Sequence, residues 1–167
     1  MTIKTKILDK ASIDYKLKRL AWEIYEHNYN QKEIIFVGIS IRGLEIAKRL
    51  SKHIRSISKI RVIIGNLNLD KKNPYNKDVK LDLKDKDYKD KTVLLCDDVL
   101  NSGKTLMYSV KPFLNVPLLK LSVVVLVDRN HNRYPIKADY VGLSLATTLQ
   151  EYVTVDLGGE KEGAYLS

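Results

Sequence analysis

The amino-acid sequence predicts an α/β protein with a central, mainly parallel sheet flanked by helices. Apolar, strand-like runs alternate with segments of helical periodicity along the chain. That order is typical of parallel α/β sheets. No repeat or linker divides the 167 residues, so we predict a single domain over residues 1–167, long enough to bury a hydrophobic core.

Two helices and two strands are predicted in the first half of the chain. Residues 12–28 carry apolar side chains at helical spacing, with Ser12 as the predicted N-cap. Residues 34–37 read as a short buried strand and residues 42–53 as a second helix. Residues 60–69 alternate between apolar and polar side chains, which predicts another strand.

The second half of the chain is richer in strands. Apolar or β-branched runs predict strands at residues 92–96, 119–127, 140–143 and 152–157. A helix is predicted over residues 103–114, with Pro112 near its end. The segment at residues 160–167 is short and polar, and we expect it to be disordered.

Composition excludes several classes of protein. The hydrophobic fraction of 44% is ordinary for a globular protein, and no stretch approaches the ~18 apolar residues of a membrane span. The segment from Met1 to Lys6 lacks the apolar core of a signal peptide. The single cysteine, Cys96, cannot form an internal disulfide. We therefore expect a cytoplasmic protein that does not contact membranes.

The net charge of +9 leaves two classes of partner open. Nucleic acid and a polyanionic small substrate would each favour a basic chain. The 10 tyrosines are spread along the sequence without the pattern of a base-stacking platform.

Two adjacent carboxylates, Asp97 and Asp98, end the apolar run Val93-Leu94-Leu95-Cys96. Ligands of open parallel sheets bind outside the carboxyl ends of the strands. If the chain turns there, both carboxylates can reach one crevice and bind ribose hydroxyl groups or the water molecules of a hydrated Mg²⁺. A solvated turn is the alternative, which the apolar residues before the pair disfavour.

Small side chains and hydroxyl groups follow in Asn101-Ser102-Gly103-Lys104-Thr105, where a helix would begin. A helix N-terminus suits a phosphate group, and Gly103 would let the backbone approach an anion. A nucleotide triphosphatase loop requires a glycine where Asp98 stands. The pattern thus predicts a site for a phosphorylated sugar and a metal ion, with a simple capped helix as the alternative.

These residues resemble the phosphoribosyl pyrophosphate (PRPP) motif of type I phosphoribosyltransferases. Residues 36–43 are similar to the pyrophosphate loop of that fold. Residues 126–142 resemble the base-binding region of one branch, the bifunctional pyrimidine operon attenuation regulators and uracil phosphoribosyltransferases. Residues 13–28 resemble that branch's first helix. The resemblance implies the type I fold with a small hood, PRPP and a nucleobase as substrates, and Mg²⁺ as cofactor.

The resemblance also implies roles for individual residues. Asp97 and Asp98 would hold the ribose hydroxyls and, through water, Mg²⁺, while Arg42 would neutralise the leaving pyrophosphate; a surface arginine at a helix start is the alternative for Arg42. PRPP would be bound by Ser40, Ile41, Arg42, Gly43, Asp97, Asp98, Asn101, Ser102, Gly103, Lys104 and Thr105. The base would be bound by Asp128, Arg129, Tyr140, Val141 and Leu143.

Two positions bear on the choice of base. Purine enzymes of this fold usually carry an aspartate at the position of Asn101, which cannot exchange a proton at neutral pH. They also commonly carry a lysine at the position of Asp128. Uracil is therefore the expected acceptor, and a hypoxanthine or guanine phosphoribosyltransferase is the alternative.

Residues 71–91, a run rich in Lys and Asp, are either a solvated surface loop or the mobile catalytic loop of the family. An Arg-Asp-Asp segment expected from the family is absent here, and Asp70-Lys71-Lys72-Asn73 stands in its place. The departure predicts less efficient catalysis.

RNA is a second candidate partner, because the resembling branch binds an mRNA hairpin on a basic dimer face. At Trp22, Ser40 and Leu143, where that face would carry His, Lys and Lys, this chain has no basic group, although Lys18, Arg19 and His27 lie nearby in the sequence. We expect RNA binding to be reduced or lost. The resemblance also implies a homodimer or a higher homo-oligomer.

Overall fold

The computed structural model describes residues 4–167, which form two sheets and four α-helices. The strands are β1 (Thr5–Asp9), β2 (Glu33–Ile39), β3 (Arg61–Asn68), β4 (Lys80–Leu81), β5 (Thr92–Leu100), β6 (Lys120–Asp128), β7 (Tyr140–Ser144), β8 (Val153–Asp156) and β9 (Gly163–Leu166). The helices are α1 (Lys10–Asn28), α2 (Ser40–Ile57), α3 (Asp85–Tyr88) and α4 (Lys104–Ser109), with a 3-10 turn at Lys111–Leu114.

The larger sheet has six strands in the order β4-β3-β2-β5-β6-β7. All neighbours pair in parallel except β3 and β4, which are antiparallel. β5 is buried along its whole length, as expected for a central strand covered on both faces. The predicted α/β class with a mainly parallel central sheet is confirmed.

The smaller sheet is antiparallel, with the order β1-β9-β8, and is the hood that the resemblance implied. Its inner side chains Leu8, Val155 and Ala164 join the core that α1 and α2 form on one face of the large sheet. A second core fills the opposite face, where Tyr88 packs edge-on against Phe113 at 5.1 Å between ring centroids. The hood therefore lies on the α1 and α2 side of the molecule.

The first helix begins earlier than predicted. Asp9 is the N-cap of α1, and its Oδ1 atom accepts a hydrogen bond from the Ser12 amide at 2.8 Å. The prediction of Ser12 as the cap was wrong, because an aspartate three residues earlier offers a better-placed acceptor. The hydrogen bond to Ser12 lowers the pKa of Asp9.

The chain end also differs from expectation. Residues 163–166 are not disordered but form β9, the middle strand of the hood, with Leu166 opposite Thr5 and Val153. The helix predicted over residues 103–114 stops at Ser109 and continues as the 3-10 turn that contains Pro112. Proline lacks the amide that a further α-helical turn would need.

Residues 71–91 are more ordered than a solvated loop would be. They include β4 and α3, and Tyr88 at the end of α3 is buried. Between residues 4 and 167, no helix has the length and apolar character needed to cross a membrane.

Candidate active site

Asp97 and Asp98 lie within β5, not in a turn after it. β2 pairs with β5 only as far as Gly38 opposite Cys96, whereas β6 follows β5 to Leu100 opposite Asp128. The predicted end of the strand at Cys96 was therefore wrong by four residues. Past the end of its pairing with β2, β5 is paired within the sheet with β6 alone at the two carboxylates.

Two cations neutralise this acid pair. Arg42 Nη1 donates to Asp98 Oδ2 at 2.9 Å. Lys71 Nζ lies 2.9 Å from Asp97 Oδ1 and 3.7 Å from Asp98 Oδ1. The carboxylate side chains are only 3% and 6% exposed, so an unpaired charge here would be costly.

The surroundings shift the pKa values of the two carboxyl groups in opposite directions. Burial and the neighbouring charge of Asp98 raise the pKa of Asp97 to about 7, against the opposing influence of Lys71. Burial also disfavours the charge of Asp98, but its hydrogen bonding with Asp97 and the cations Lys71 and Arg42 outweigh burial and lower its pKa. The surroundings therefore make Asp98 the more acidic carboxyl group of the pair.

The turn from β2 into α2 presents the predicted pyrophosphate-loop residues. Ser40 adopts a left-handed backbone with φ +56°, an uncommon conformation for a residue other than glycine. Ile41 is 87% exposed at the surface of the turn. Gly43 allows close contact with β5, since a Cβ atom there would lie 2.3 Å from the Cys96 carbonyl oxygen. The start of α2 is thus held directly beside the acid pair.

A small cavity of about 40 Å³ lies over residues 101–106 and is bordered by Asp97. Gly103 caps α4 with φ +82°. The carbonyl of Ser102 accepts the amides of Arg133 and Tyr134 at 2.8 and 3.0 Å, which fixes the loop from behind. A helix start beside a rigid loop suits a phosphate group.

The end of β6 supports this loop through Arg129. The guanidinium, buried with the rest of Arg129, donates to Asn101 Oδ1 at 2.8 Å and to Thr147 Oγ1 at 3.1 Å. It also donates to the carbonyls of Thr148 and Glu151. Arg129 therefore ties Asn101 to the segment that leads into the hood.

The predicted base-binding residues do not all meet at one place. Asp128 and Arg129 adjoin Leu100 and Asn101. The hydroxyl group of Tyr140 lies instead 3.2 Å from His27 Nδ1 on α1.

The other two predicted base-binding residues are also engaged elsewhere. The Val141 carbonyl accepts a hydrogen bond from Arg19 at 2.9 Å, and the half-buried Leu143 packs against the core. Of the five residues, only Asp128 and Arg129 lie beside the acid pair's strand and its loop.

A larger cavity of about 830 Å³ lies between the start of α2 and the hood. Ile41 and Arg42 line it on one side, and Asp156 and Lys161 line it on the other. Its volume is in the range of small-molecule sites. Arg42 borders this cavity and also contacts Asp98, so it connects the acid pair to the larger space.

Lys71 is the residue that sequence reasoning missed. It stands 26 positions before Asp97, in a segment rich in Lys and Asp where no pattern distinguishes one lysine from another. Only the position of β3 next to β2 brings it to the acid pair. The departure from the family's Arg-Asp-Asp segment was the one available signal.

The residues present fit a Mg²⁺ ion that is bound together with a phosphorylated substrate. Within residues 4–167 there is no group of three or more His, Cys, Asp or Glu residues that could hold a metal ion alone. Mg²⁺ commonly binds through one or two carboxylates, water and substrate phosphates. Asp97 and Asp98 supply that partial set of ligands.

Comparison with known proteins shows which family the chain resembles over most of its length. The sequence model of the family described as the phosphoribosyl transferase domain matches residues 4–157. The chain is 35% identical to the bifunctional protein PyrR of Bacillus pumilus, covering 94% of this chain and 92% of that protein. It is also 35% identical to the bifunctional protein PyrR of Clostridioides difficile, covering 94% and 93%.

Solved structures show the same fold at lower identity. A hypoxanthine-guanine phosphoribosyltransferase from Bacillus anthracis aligns with a TM-score of 0.75 and 24% identity over 100% of this chain and 99% of that one. The hypoxanthine phosphoribosyltransferase of Trypanosoma cruzi aligns with a TM-score of 0.75 and 17% identity, over 92% and 86% of the two chains. At these identities the likeness concerns the fold alone.

Proposed function

The chain belongs to the phosphoribosyl transferase family, in the branch of the bifunctional PyrR proteins, and we propose that it converts uracil and PRPP to UMP and pyrophosphate. The observation that carries the proposal is the meeting of three features at one edge of the sheet: the buried acid pair, Arg42, and the loop at residues 101–105. Arg42 and the loop suit the two phosphate-bearing ends of PRPP, and the acid pair between them suits the ribose hydroxyls.

The donor would be held by three groups of residues. The loop formed by Asn101, Ser102, Gly103, Lys104 and Thr105 would bind the 5-phosphate. Asp97 and Asp98 would accept hydrogen bonds from the ribose hydroxyls. Ser40, Ile41, Arg42 and Gly43 would face the pyrophosphate, for which the exposed turn and the larger cavity beside Arg42 give room.

In the proposed reaction, the bond from the anomeric carbon to pyrophosphate breaks, a bond to a uracil nitrogen forms, and the proton of that nitrogen is released to water. Positive charge develops on the ribose as pyrophosphate leaves. Asp97 and Asp98 would stabilise that charge, and Arg42 would donate charge-assisted hydrogen bonds to the leaving group. Holding the donor at both phosphate ends fixes its orientation toward the base.

Mg²⁺, when bound through Asp97 and Asp98, would neutralise phosphate charge on the donor. Both carboxylates are almost fully buried, so a dication brought by the donor would compensate charge that water cannot screen there.

Uracil is favoured over purines by Asn101. Its Oδ1 atom accepts from Arg129 at 2.8 Å, so the position holds a neutral amide where an acid could exchange a proton with a purine. The two PyrR proteins compared above are each 35% identical to this chain, whereas the two purine enzymes share its fold at 24% and 17% identity.

We propose that RNA binding is reduced in this chain. Trp22 is 44% exposed on α1 and offers no charge to phosphate. Arg19 donates to the carbonyls of Val141 and Gly142 and pairs with Glu23. A pyrimidine-operon leader hairpin should therefore bind weakly, and a salt-dependent nanomolar complex would contradict this expectation.

We also propose that the chain forms a homodimer or a larger homo-oligomer. Tyr15 and Trp22 on α1 and Tyr29 at its C-cap are exposed at intervals of seven residues, a spacing that places them on one stripe of the helix. Sedimentation velocity tests this, and a monomer at micromolar concentration would contradict it.

Initial-rate assays test the proposed activity. With PRPP and Mg²⁺, we expect pyrophosphate release that depends on uracil and not on hypoxanthine or guanine. Turnover of a purine alone would support the alternative and refute uracil as the acceptor.

A further inference from the structure

The side chain of Lys71 sits where a ligand of the acid pair would be expected. Its ammonium group is 2.9 Å from Asp97 Oδ1 and 3.7 Å from Asp98 Oδ1. Both carboxylates are almost fully buried, whereas the Lys71 side chain is 39% exposed. An ammonium ion that reaches in from the surface thus serves as counter-cation to two buried acids.

A tight turn at residues 70–73, here called the lysine turn, directs this side chain inward. Asp70 Oδ1 accepts the amides of Lys72 at 2.9 Å and Asn73 at 3.2 Å. These two bonds lower the pKa of Asp70 and fold the backbone around the aspartate. Lys71, between the bonded residues, is left to point toward β5.

The lysine turn is also fastened to the loop assigned to the 5-phosphate. Lys104 Nζ donates to the Lys72 carbonyl at 2.9 Å. Further along, the ring of Tyr75 lies 6.5 Å from that of Tyr108 on α4. In this state, a lysine of the phosphate loop and both carboxylates are therefore engaged by one segment of the same chain.

The same oxygen atoms cannot serve Lys71 and the donor at full strength. Ribose hydroxyls and the waters of Mg²⁺ would each need the carboxylate oxygens that Lys71 contacts, and a dication near an ammonium ion is repelled. Lys104 would likewise exchange the Lys72 carbonyl for a phosphate oxygen. Donor binding therefore requires the lysine turn to move away from β5.

We propose that Lys71 is a built-in competitor of the Mg²⁺–PRPP complex, and that it determines how tightly the enzyme binds its donor. The inference rests on the proposed function, because PRPP is the donor named there. Lys71 keeps the acid pair neutralised and covered until the donor displaces it. Removing the ammonium group should make the site more receptive to Mg²⁺ and PRPP.

Lys71→Met tests the proposal, because methionine keeps the apolar stem without the charge. We expect calorimetry to show that Mg²⁺–PRPP binds about tenfold more tightly to this variant, which corresponds to one lost charge-assisted hydrogen bond. Lys72→Met is the matched control, since Lys72 contributes its backbone to the lysine turn, and its affinity should stay within about twofold of wild type. Circular dichroism checks that both variants are folded.

A second readout reports the lysine turn directly. Without ligand, chymotrypsin should cut after the exposed Tyr75 faster in Lys71→Met than in the wild type. Unchanged or weaker donor binding by Lys71→Met would overturn the proposal; weaker binding would make Lys71 a donor contact.

Failure of the proposed function would be seen separately. If neither wild type nor variant binds PRPP, the donor assignment is wrong, and MgCl₂ alone then decides the role of Lys71. A larger rise in melting temperature with MgCl₂ for Lys71→Met than for wild type supports competition at the acid pair. Equal rises refute it.

Discussion

At the scale of single residues, Asp97 is the carboxylate whose negative charge the site disfavours. Burial and the charge of Asp98 raise its pKa to about 7. Lys71 and Arg42 together keep the pair from needing two protons. The site therefore holds acids that bind cations readily, at a cost to the stability of the protein without ligand.

The pH dependence of stability tests this description of Asp97. Because its pKa is higher in the folded than in the unfolded protein, its contribution to stability is full below about pH 4 and is lost as pH rises toward 7. Asp97→Asn should remove this contribution, worth up to about 1.4 kcal/mol for each unit of pKa shift. Urea unfolding between pH 4.5 and 7.5 measures the slope. The exposed Asp78→Asn is the control, and an unchanged slope in Asp97→Asn would refute the raised pKa.

Arg129 is the second residue on which the site depends. Arg129→Met would leave Asn101 Oδ1 and the carbonyls of Thr148 and Glu151 without their donor. We expect a loss of about 3 kcal/mol in the free energy of unfolding and a higher KM for the base. The exposed Arg133→Met, whose contact with Ser102 is made by the backbone, should stay within about 0.5 kcal/mol of wild type. A stable Arg129→Met protein would show that Asn101 is positioned by other contacts.

At the scale of elements, Gly43 allows the start of α2 to pack closely against β5. A methyl group at Gly43 would meet the Cys96 carbonyl oxygen at 2.3 Å, so Gly43→Ala must push the helix start away from the acid pair. We expect a cost of about 2 kcal/mol and weaker PRPP binding. Gly158→Ala meets no atom within 4 Å and should be neutral. Thermal unfolding and calorimetry measure both effects, and wild-type donor affinity in Gly43→Ala would contradict the assigned role of this turn.

The hood is fastened to α2 by Arg49. This residue donates to the buried Glu162 at 2.5 Å and to the Leu157 carbonyl at 2.7 Å. Arg49→Met should cost about 3 kcal/mol, because Glu162 would remain buried without its main partner. Arg61→Met, at an ion pair whose arginine is 76% exposed, should cost less than about 1 kcal/mol. Chemical denaturation compares them, and equal costs would show that the hood does not depend on Arg49.

The large sheet was predictable where burial leaves a strong sequence pattern. β5 and β6 are long apolar runs, and the acid pair and loop at residues 97–105 carry their chemistry in consecutive residues. β1 and β9 were missed because they are short, partly exposed strands whose partners lie about 160 positions apart in the chain, Thr5 opposite Leu166. Local periodicity cannot report such a pairing.

Local periodicity also fails to show which distant segments meet in the site. Lys71 meets Asp97, and Arg129 meets Asn101, only once the strands are ordered in the sheet. The resemblance supplied the motif residues but not these partners. Lys71 was indistinguishable from the other lysines of a segment rich in Lys and Asp, and Arg129 was predicted to contact the base, although its guanidinium is engaged with Asn101, Thr147 and two carbonyls.

At the scale of the whole molecule, the large sheet and the hood contribute different parts of the site. The carboxyl ends of β2 and β5 present Arg42 and the acid pair, while the hood closes a cavity of about 830 Å³ beside them. The net charge of +9 suits a substrate with several phosphates as well as it suits RNA. The buried acids at the centre of the site favour a ligand that brings its own cation.

The most direct measurement is a single-turnover reaction with the enzyme in excess over PRPP, in Mg²⁺ and saturating uracil. Because it does not require repeated cycles, it detects the chemistry even if the loop that lacks Arg-Asp-Asp turns over slowly. We expect stoichiometric UMP and pyrophosphate, identified by mass spectrometry, and no nucleotide when hypoxanthine or guanine replaces uracil. Absence of UMP while IMP or GMP forms, or no nucleotide with any base, would contradict the account.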